Sequence, residues 1–266
     1  MFFWKNKKVL VTGGAGFIGS YVVEMLLNLG AKVKVSDSIE SDLAVNLSKV
    51  IDDIEYIKGD LRLVSDCEKA CKESGIVLNL AAKVGGINFN RQHPGSMFRD
   101  NILISANMLE AARLCNVERF LVTSSACIYP QSCKIPTPET EGFAGMPEPT
   151  NDGYGWAKRM AEFQAGAYYR EFKMNITIVR PYNAYGPRDC FDPERAHVIP
   201  SLIRRVFDNE NPLNVWGDGQ QSRSFLYVSD LARGIIEAAE KYNVCDPLNL
   251  GSEEEIKISD LCIFLA

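Results

Sequence analysis

Histidine is scarce in this chain: His93 and His197 are the only two among 266 residues, and the eight cysteines, spread from Cys67 to Cys262, include no C-x-x-C pair. A zinc site gathers soft ligands at close spacing, so no metal is expected. The same scatter in a chain of this length does not fit a small secreted fold stapled by disulfides, and the thiols are expected to be reduced. Cys67 and Cys71, four apart, would share one face of a helix as small buried apolar residues. Basic runs are missing too, and a net charge of -5 gives no electrostatic reason to follow a phosphate backbone, so no nucleic-acid partner is expected. Long apolar runs are also absent. The opening Met1, Phe2, Phe3 and Trp4 stop at Lys5, Lys7 and Lys8, short of a signal-peptide core or a membrane span. The expected setting is the cytoplasm, with no membrane partner. Neither internal repeats nor low-complexity tracts occur.

What is present is an ordinary globular composition, 46% hydrophobic and 24% charged, in a chain long enough to bury a substantial core. An apolar run over 8–12 is followed by glycines and then by Phe17, Ile18, Val22, Met25, Leu26 and Leu29 at helical spacing. Gly30 closes this helix, and Val33 and Val35 alternate toward Asp37, which completes a βαβ unit with two parallel strands. Further strands are expected over 54–57, 76–80, 120–123 and 175–179, with helices near 62–73, 96–115 and 154–172 between them. Elements alternating in this way predict an α/β fold with a doubly wound parallel sheet and a ligand at the carboxyl ends of its strands. Past Pro181 the texture changes, with Pro187, Pro193, Pro200 and Pro212 interrupting shorter elements. The expected division is a first domain over 1–185 and a smaller C-terminal lobe over 186–266, with segments returning to the first domain. The apolar stretch 258–266 reads as the start of a helix.

Gly13, Gly14, Gly16 and Gly19 fall between the first strand and the first helix and fit both G-x-G-x-x-G and the wider G-x-x-G-x-x-G spacing. Glycines there let the backbone approach a pyrophosphate, whose charge the amides at a helix N-terminus stabilise. A bare tight turn would not explain why strand, helix and acid all fall where a dinucleotide fingerprint wants them. Asp37 is that acid. At the end of the second strand its carboxylate accepts hydrogen bonds from both ribose hydroxyls and repels a 2'-phosphate, which favours NAD over NADP. A solvated loop acid is the alternative, and Lys34 or Ser36 would soften the preference. Tyr154 and Lys158 form Y-x-x-x-K, which on a helix sets phenol and ammonium on one face. Ten tyrosines make chance matches easy, but this pair follows the fifth strand, at whose end stand Ser124 and Ser125. A phenol needs a neighbouring cation to act as a base at neutral pH, and the lysine and a positive nicotinamide would supply it.

Seven blocks complete a pattern: T-G-G-A-G-F-I-G-S (12–20), G-D-L-R (59–62), N-L-A-A (79–82), S-S-A-C-I-Y-P (124–130), Y-G-W-A-K (154–158), R-P-Y-N-A-Y-G-P-R (180–188) and R-S-F-L-Y-V-S-D (223–230). Together they resemble the extended short-chain dehydrogenase/reductases, specifically the nucleotide-sugar epimerase/dehydratase family, over essentially the whole chain. The resemblance implies a Rossmann sheet that binds NAD through Gly13, Gly16, Phe17, Ile18, Gly19 and Asp37, with Asp60 and Leu61 flanking the adenine and Ala81 and Ala82 lining the cofactor. It implies further that Lys158 holds the nicotinamide ribose and that Ser125 hydrogen-bonds the sugar hydroxyl that Tyr154 deprotonates. Asn183, Arg223 and, less directly, Arg188 are implied as contacts to the substrate diphosphate. A homodimer built from the helices near 96–115 and 154–172 is also implied. Members of the family usually continue some tens of residues past the point where this sequence stops, in a part that helps close the substrate lobe.

Within the family, 4,6-dehydratases carry an acidic pair after a threonine where this chain has Ala126, Cys127 and Ile128, which disfavours loss of water. A-A-K-V-G-G-I (81–87), S-S-A-C-I-Y-P and H-V-I-P (197–200) are similar to the branch containing GDP-fucose synthase and GDP-mannose 3,5-epimerase. In that branch a cysteine and a His or Lys move protons at ring carbons, which implies such a pair in Cys127 and His197; a buried thiol and a loop histidine are the plain alternatives. The expected reaction is epimerisation of a nucleotide sugar through a 4-keto intermediate, with Cys127 as thiolate removing a ring proton and His197 returning one. Its rivals are an epimerase/reductase of the fucose-synthase kind using NADPH, a simple 4-epimerase, and a dinucleotide-binding regulator without catalysis.

Overall fold

The structure, a computed structural model, describes residues 3–215 and 217–265. The first two residues of the apolar start, and the last of the expected C-terminal helix, lie outside the described residues. Among the described residues there are ten strands: β1 (Lys8–Thr12), β2 (Lys32–Asp37), β3 (Glu55–Lys58), β4 (Ile76–Asn79), β5 (Arg119–Thr123), β6 (Ile176–Pro181), β7 (Asn183–Tyr185), β8 (Ser222–Tyr227), β9 (Pro247–Leu250) and β10 (Glu255–Lys257). The helices are α1 (Phe17–Asn28), α2 (Val64–Cys71), α3 (Ile87–Gln92), α4 (Pro94–Leu114), α5 (Asp152–Phe172), α6 (Val198–Phe207), α7 (Val228–Lys241) and α8 (Ile258–Leu265).

Seven strands form one parallel sheet in the order β3-β2-β1-β4-β5-β6-β9. The order reverses between β1 and β4, the switch point at which such sheets open a crevice for a ligand. Alternate residues of each strand feed two separate cores, because successive side chains leave opposite faces. Val9 and Val11 of β1, Val33 and Val35 of β2 and Ile76 and Leu78 of β4 pack with α1 and α7; Leu10, Val77, Phe120 and Val122 pack with α2, α4 and α5. Each such side chain, fully buried, contributes about 1.5–3 kcal/mol relative to exposure. Cys67 and Cys71 lie in the second core, and all eight cysteines are free thiols.

The chain beyond β6 does two things. β7, β8 and β10 make a three-stranded sheet covered by α6 and α8, with a small core around Leu202, Phe225, Ile258 and Leu261. Between these strands the chain goes back: α7 packs on α1, and β9 adds the seventh strand beside β6. The seventh strand is not evident in the sequence because β9 has only four residues, begins at a proline and is half-buried throughout. Among the described residues no helix is long and apolar enough to cross a membrane.

Candidate active site

The glycine turn follows β1 as its spacing predicts. Gly13 has φ +66°, and a Cβ there would stand 2.9 Å from the Ala81 Cα; a Cβ on Gly19 would stand 2.1 Å from the Gly13 carbonyl oxygen. Only glycine fits both places. At Gly16, by contrast, a side chain would meet little beyond that same oxygen, so the space before the α1 N-terminus is open. No side chain caps α1 and no acid sits in its first turn, which leaves the first amides, those of Phe17 and Ile18 among them, free for an anion. Asp37 is tied to this turn: Ala15 N–H donates to Oδ2 at 3.0 Å and Ser38 N–H to Oδ1 at 2.7 Å. Each oxygen keeps a lone pair, so the carboxylate can still take two ribose hydroxyls. Thr12 donates to Asn79 Oδ1 at 2.7 Å and accepts from Ala81 N–H at 3.0 Å, which locks the Ala81–Ala82 loop to the glycine turn. The residues therefore fit a dinucleotide. At the adenine end Leu61 is buried in the second core, and the Asp60 carboxylate is held by Arg62 Nη2 at 2.6 Å, so this edge presents mainly backbone.

Tyr154 opens α5 and Lys158 follows one turn later. The ammonium is 5.5 Å from the centre of the phenol ring and donates to the Thr123 carbonyl at 2.7 Å. Burial pushes the Tyr154 phenol well up; Cys127 adds to the rise, and the Ser125 hydroxyl, which faces the phenol, opposes it. Lys158 is 3% exposed, and burial brings its pKa down to about 8 although Cys127 and Glu162 pull the other way. Unfolded, the same side chain keeps its proton to about 10.5. Below about 8 both states are charged and the cost of the buried ammonium is fully present; between the two values the native state binds fewer protons, so stability rises with pH. The expected gain over Lys158→Met approaches about 1.4 kcal/mol per pH unit in this window. Melting curves of both proteins across it check the sign, and a constant difference would refute it.

Cys127 lies in the short turn after β5, and its N–H donates to Ser125 Oγ at 3.1 Å. Burial raises its thiol pKa; the Ser125 hydroxyl and Lys158 lower it, and the charge of Glu148 raises it further. The Cys127 and Pro147–Glu148 segments meet over Gly155, whose Cβ would stand 2.6 Å from the Cys127 carbonyl oxygen and 2.8 Å from Pro147 Cβ. Glu148 Oε2 accepts from Thr150 N–H at 3.1 Å and from Asn151 Nδ2 at 3.4 Å, and Asn151 accepts from Asn90 of α3 at 2.8 Å. At the other end of α3, a Cβ on Gly86 would stand 2.7 Å from the Ala196 carbonyl oxygen, next to His197. α3 thus bridges the Cys127 turn and the segment that carries His197. His197 itself is exposed at the N-cap of α6, and its charge acts on Asp189, whose carboxyl burial pushes up.

On the small sheet, Asn183 pairs with Phe225, so Asn183 and Arg223 share a face. Both are exposed; Asn183 Nδ2 donates to the Ser224 carbonyl at 3.0 Å and Arg223 Nη1 to the Ser222 carbonyl at 2.7 Å. Arg188 departs from its expected place. Its guanidinium donates to Glu24 Oε1 at 2.7 Å and Ser20 Oγ at 3.1 Å and lies over the Tyr21 ring, so its charge is spent on α1. The sequence reading also passed over Glu148, Arg159, Glu162 and Arg180, which surround the site. A charge closing the buried strand I-T-I-V-R-P and an acid four residues past Lys158 were the signals available.

A switch-point crevice with a glycine turn, an acid at the end of β2 and a Tyr-Lys pair defines a dinucleotide-dependent enzyme of the short-chain dehydrogenase/reductase type. The chain belongs to the NAD dependent epimerase/dehydratase family, whose model it matches over residues 9–251. NAD is the cofactor of that family. "Probable GDP-L-fucose synthase 1" of Oryza sativa subsp. japonica is 35% identical over 265 residues, 97% of this chain and 75% of the relative. "GDP-mannose 3,5-epimerase 1" of Oryza sativa subsp. indica is 30% identical, over 97% of this chain and 68% of the relative. Among solved structures, the UDP-glucose 4-epimerase of Thermotoga maritima with UDP-glucose superposes with a TM-score of 0.86 at 30% identity, over 97% of this chain and 81% of that one.

Proposed function

We propose that this chain epimerises a nucleotide-diphosphate sugar through a transient 4-keto intermediate, with proton exchange at C3 or C5, in the cytoplasm. The observation that carries the reading is the Cys127 thiol on the turn that also holds Ser125, beside Tyr154 and Lys158. NAD, when bound, would supply reversible hydride transfer at C4. Ser125 orients the 4-hydroxyl, and Tyr154, held as its phenolate by the Lys158 ammonium, takes the proton and becomes the phenol. The C4 ketone acidifies the hydrogens on C3 and C5. Cys127 and His197 move protons at opposite faces of the ring; because burial favours the neutral thiol, the delivery is assigned to Cys127 and the removal to His197. Asn183 and Arg223 hold the diphosphate, while Arg188 serves the fold. Asp37 disfavours the NADPH-dependent epimerase/reductase alternative, since a 2'-phosphate would meet its carboxylate.

The test is incubation with NAD and a panel of GDP-, UDP- and dTDP-sugars in deuterated water, read by NMR. Label at C3 or C5 supports the reading; inversion at C4 without label makes the chain a simple 4-epimerase. A homodimer through α4 and α5 belongs to the same reading, because these packed helices expose Phe98, Leu103, Phe163, Tyr169 and Phe172. Phe163, 63% exposed, is the residue to change. Phe163→Glu should convert a dimer to a monomer in sedimentation velocity, and a wild type that sediments as a monomer would end the idea.

A further inference from the structure

Behind the redox residues lies a buried ion pair. Arg180 of β6 and Glu162 of α5 are 1% and 6% exposed and pair through two hydrogen bonds, Nε to Oε1 at 2.9 Å and Nη2 to Oε2 at 2.8 Å. Such a pair recovers little net stability, because desolvating both ions offsets their attraction. Its other partners point to a different use. Ser124 donates its hydroxyl to Oε1 of Glu162, and Arg180 Nη1 donates to the Tyr129 hydroxyl at 2.7 Å and to the Glu139 carbonyl at 2.6 Å. Arg159, also on α5, donates through Nε and Nη2 to the Ile128 carbonyl at 3.0 and 2.6 Å. The turn after β5 is therefore pinned at Ser124, Ile128 and Tyr129, and the residues left between the pins include Ser125 and Cys127. Glu162 also lies one helical turn past Lys158, on the same face.

We propose that Glu162 is a positioning residue of the redox site: clamped by Arg180, its carboxylate fixes Ser124, and with it the turn holding Ser125 and Cys127, and sustains the positive charge of Lys158 beside the Tyr154 phenol. The inference rests on reading Ser125, Tyr154 and Lys158 as the redox set. The groups facing Lys158 are Tyr154 and Glu162 on its own helix, with Cys127 and the Thr123 carbonyl from β5 and the turn after it. Those facing Glu162 are Lys158 and Arg159 on α5, Ser124 after β5, Arg180 on β6 and Cys245 before β9. Glu162 favours the protonated lysine. Glu162→Gln keeps the shape and removes the charge, so Lys158 should give up its proton at lower pH. Ser124→Ala removes one hydrogen bond and keeps every charge.

The test uses the NAD complex of [13C]lysine-labelled protein, with the Lys158 side-chain signal assigned by difference against Lys158→Met. In Glu162→Gln the titration midpoint of Lys158 should fall by about half a pH unit or more. In Ser124→Ala it should stay in place while turnover of the wild type's best sugar in the panel drops about fivefold or more at an unchanged melting temperature. An unmoved midpoint in Glu162→Gln, or full turnover in Ser124→Ala, overturns the proposal. If Glu162→Gln does not fold with Arg180 unpaired, the double variant Glu162→Gln/Arg180→Gln leaves no lone buried charge and reads the same midpoint. The lysine titration needs no sugar, so a wild type inactive on every nucleotide sugar would overturn the proposed function and leave this inference to be decided by the midpoint.

Discussion

Replacing Tyr154 by phenylalanine should cut turnover by about a thousandfold while NAD affinity changes little. The loss follows from what the phenol does and what stands near it. Oxidation at C4 requires a base at the 4-hydroxyl, and positioned acid-base catalysis contributes about 10²–10⁴-fold. Lys158 cannot take over, since its ammonium is occupied by the Thr123 carbonyl, and Ser125 has no base of its own. The ring would remain in place, because Phe keeps the packing at the start of α5. The cofactor contacts proposed for the glycine turn and Asp37 are on β1, α1 and β2, separate from the phenol oxygen. Isothermal titration with NAD, paired with the rate of bound-cofactor reduction by substrate, checks both halves. Turnover within tenfold of wild type would mean that another group accepts the proton. A loss of NAD binding equal to the loss of rate would mean that Tyr154 is there for the cofactor alone.

How far the sequence reaches is clearest at three places. The β1–α1–β2 unit was legible because its constraint is local. Gly13 must take a positive φ and Gly19 must let backbone touch backbone, and no other residue allows either. The first six strands of the sheet follow from apolar patterning, since a parallel strand buried on both faces reads as a continuous apolar run. β9 and α7 did not follow. Their return to the large sheet depends on pairing with β6 and packing on α1, contacts across long sequence separations that no local pattern encodes.

Arg188 and Glu162 mark the same boundary within the site. The motif ending in Arg188 places the residue near the crevice, but whether the guanidinium turns to a ligand or to Glu24 depends on the α1 face opposite it. Glu162 shares a helix face with Lys158 in any helical reading. Its partner Arg180 is supplied by a neighbouring strand, and only the assembled sheet shows that the two charges meet in the interior. Local chemistry is thus readable from spacing, while the orientation of long polar side chains is decided by tertiary neighbours.

Cys127→Ala carries the second large effect, and it separates proton transfer from hydride transfer. The variant should lose deuterium incorporation at C3 and C5 by about a hundredfold or more, the range of a removed acid-base group. It should still reduce bound NAD with substrate at close to the wild-type rate, because the redox step proposed above uses Ser125, Tyr154 and Lys158. Burial keeps Cys127 neutral at rest, which suits a donor whose proton is delivered only after the ring carbon has become a carbanion. Cys127→Ser restores a hydroxyl that is a weaker acid, so it should recover little of the exchange. Wild-type exchange in the alanine variant would reduce Cys127 to a packing residue and assign the ring-proton transfer to another group. Loss of cofactor reduction together with exchange would instead place the thiol within the redox set, as a group that holds the sugar against Tyr154.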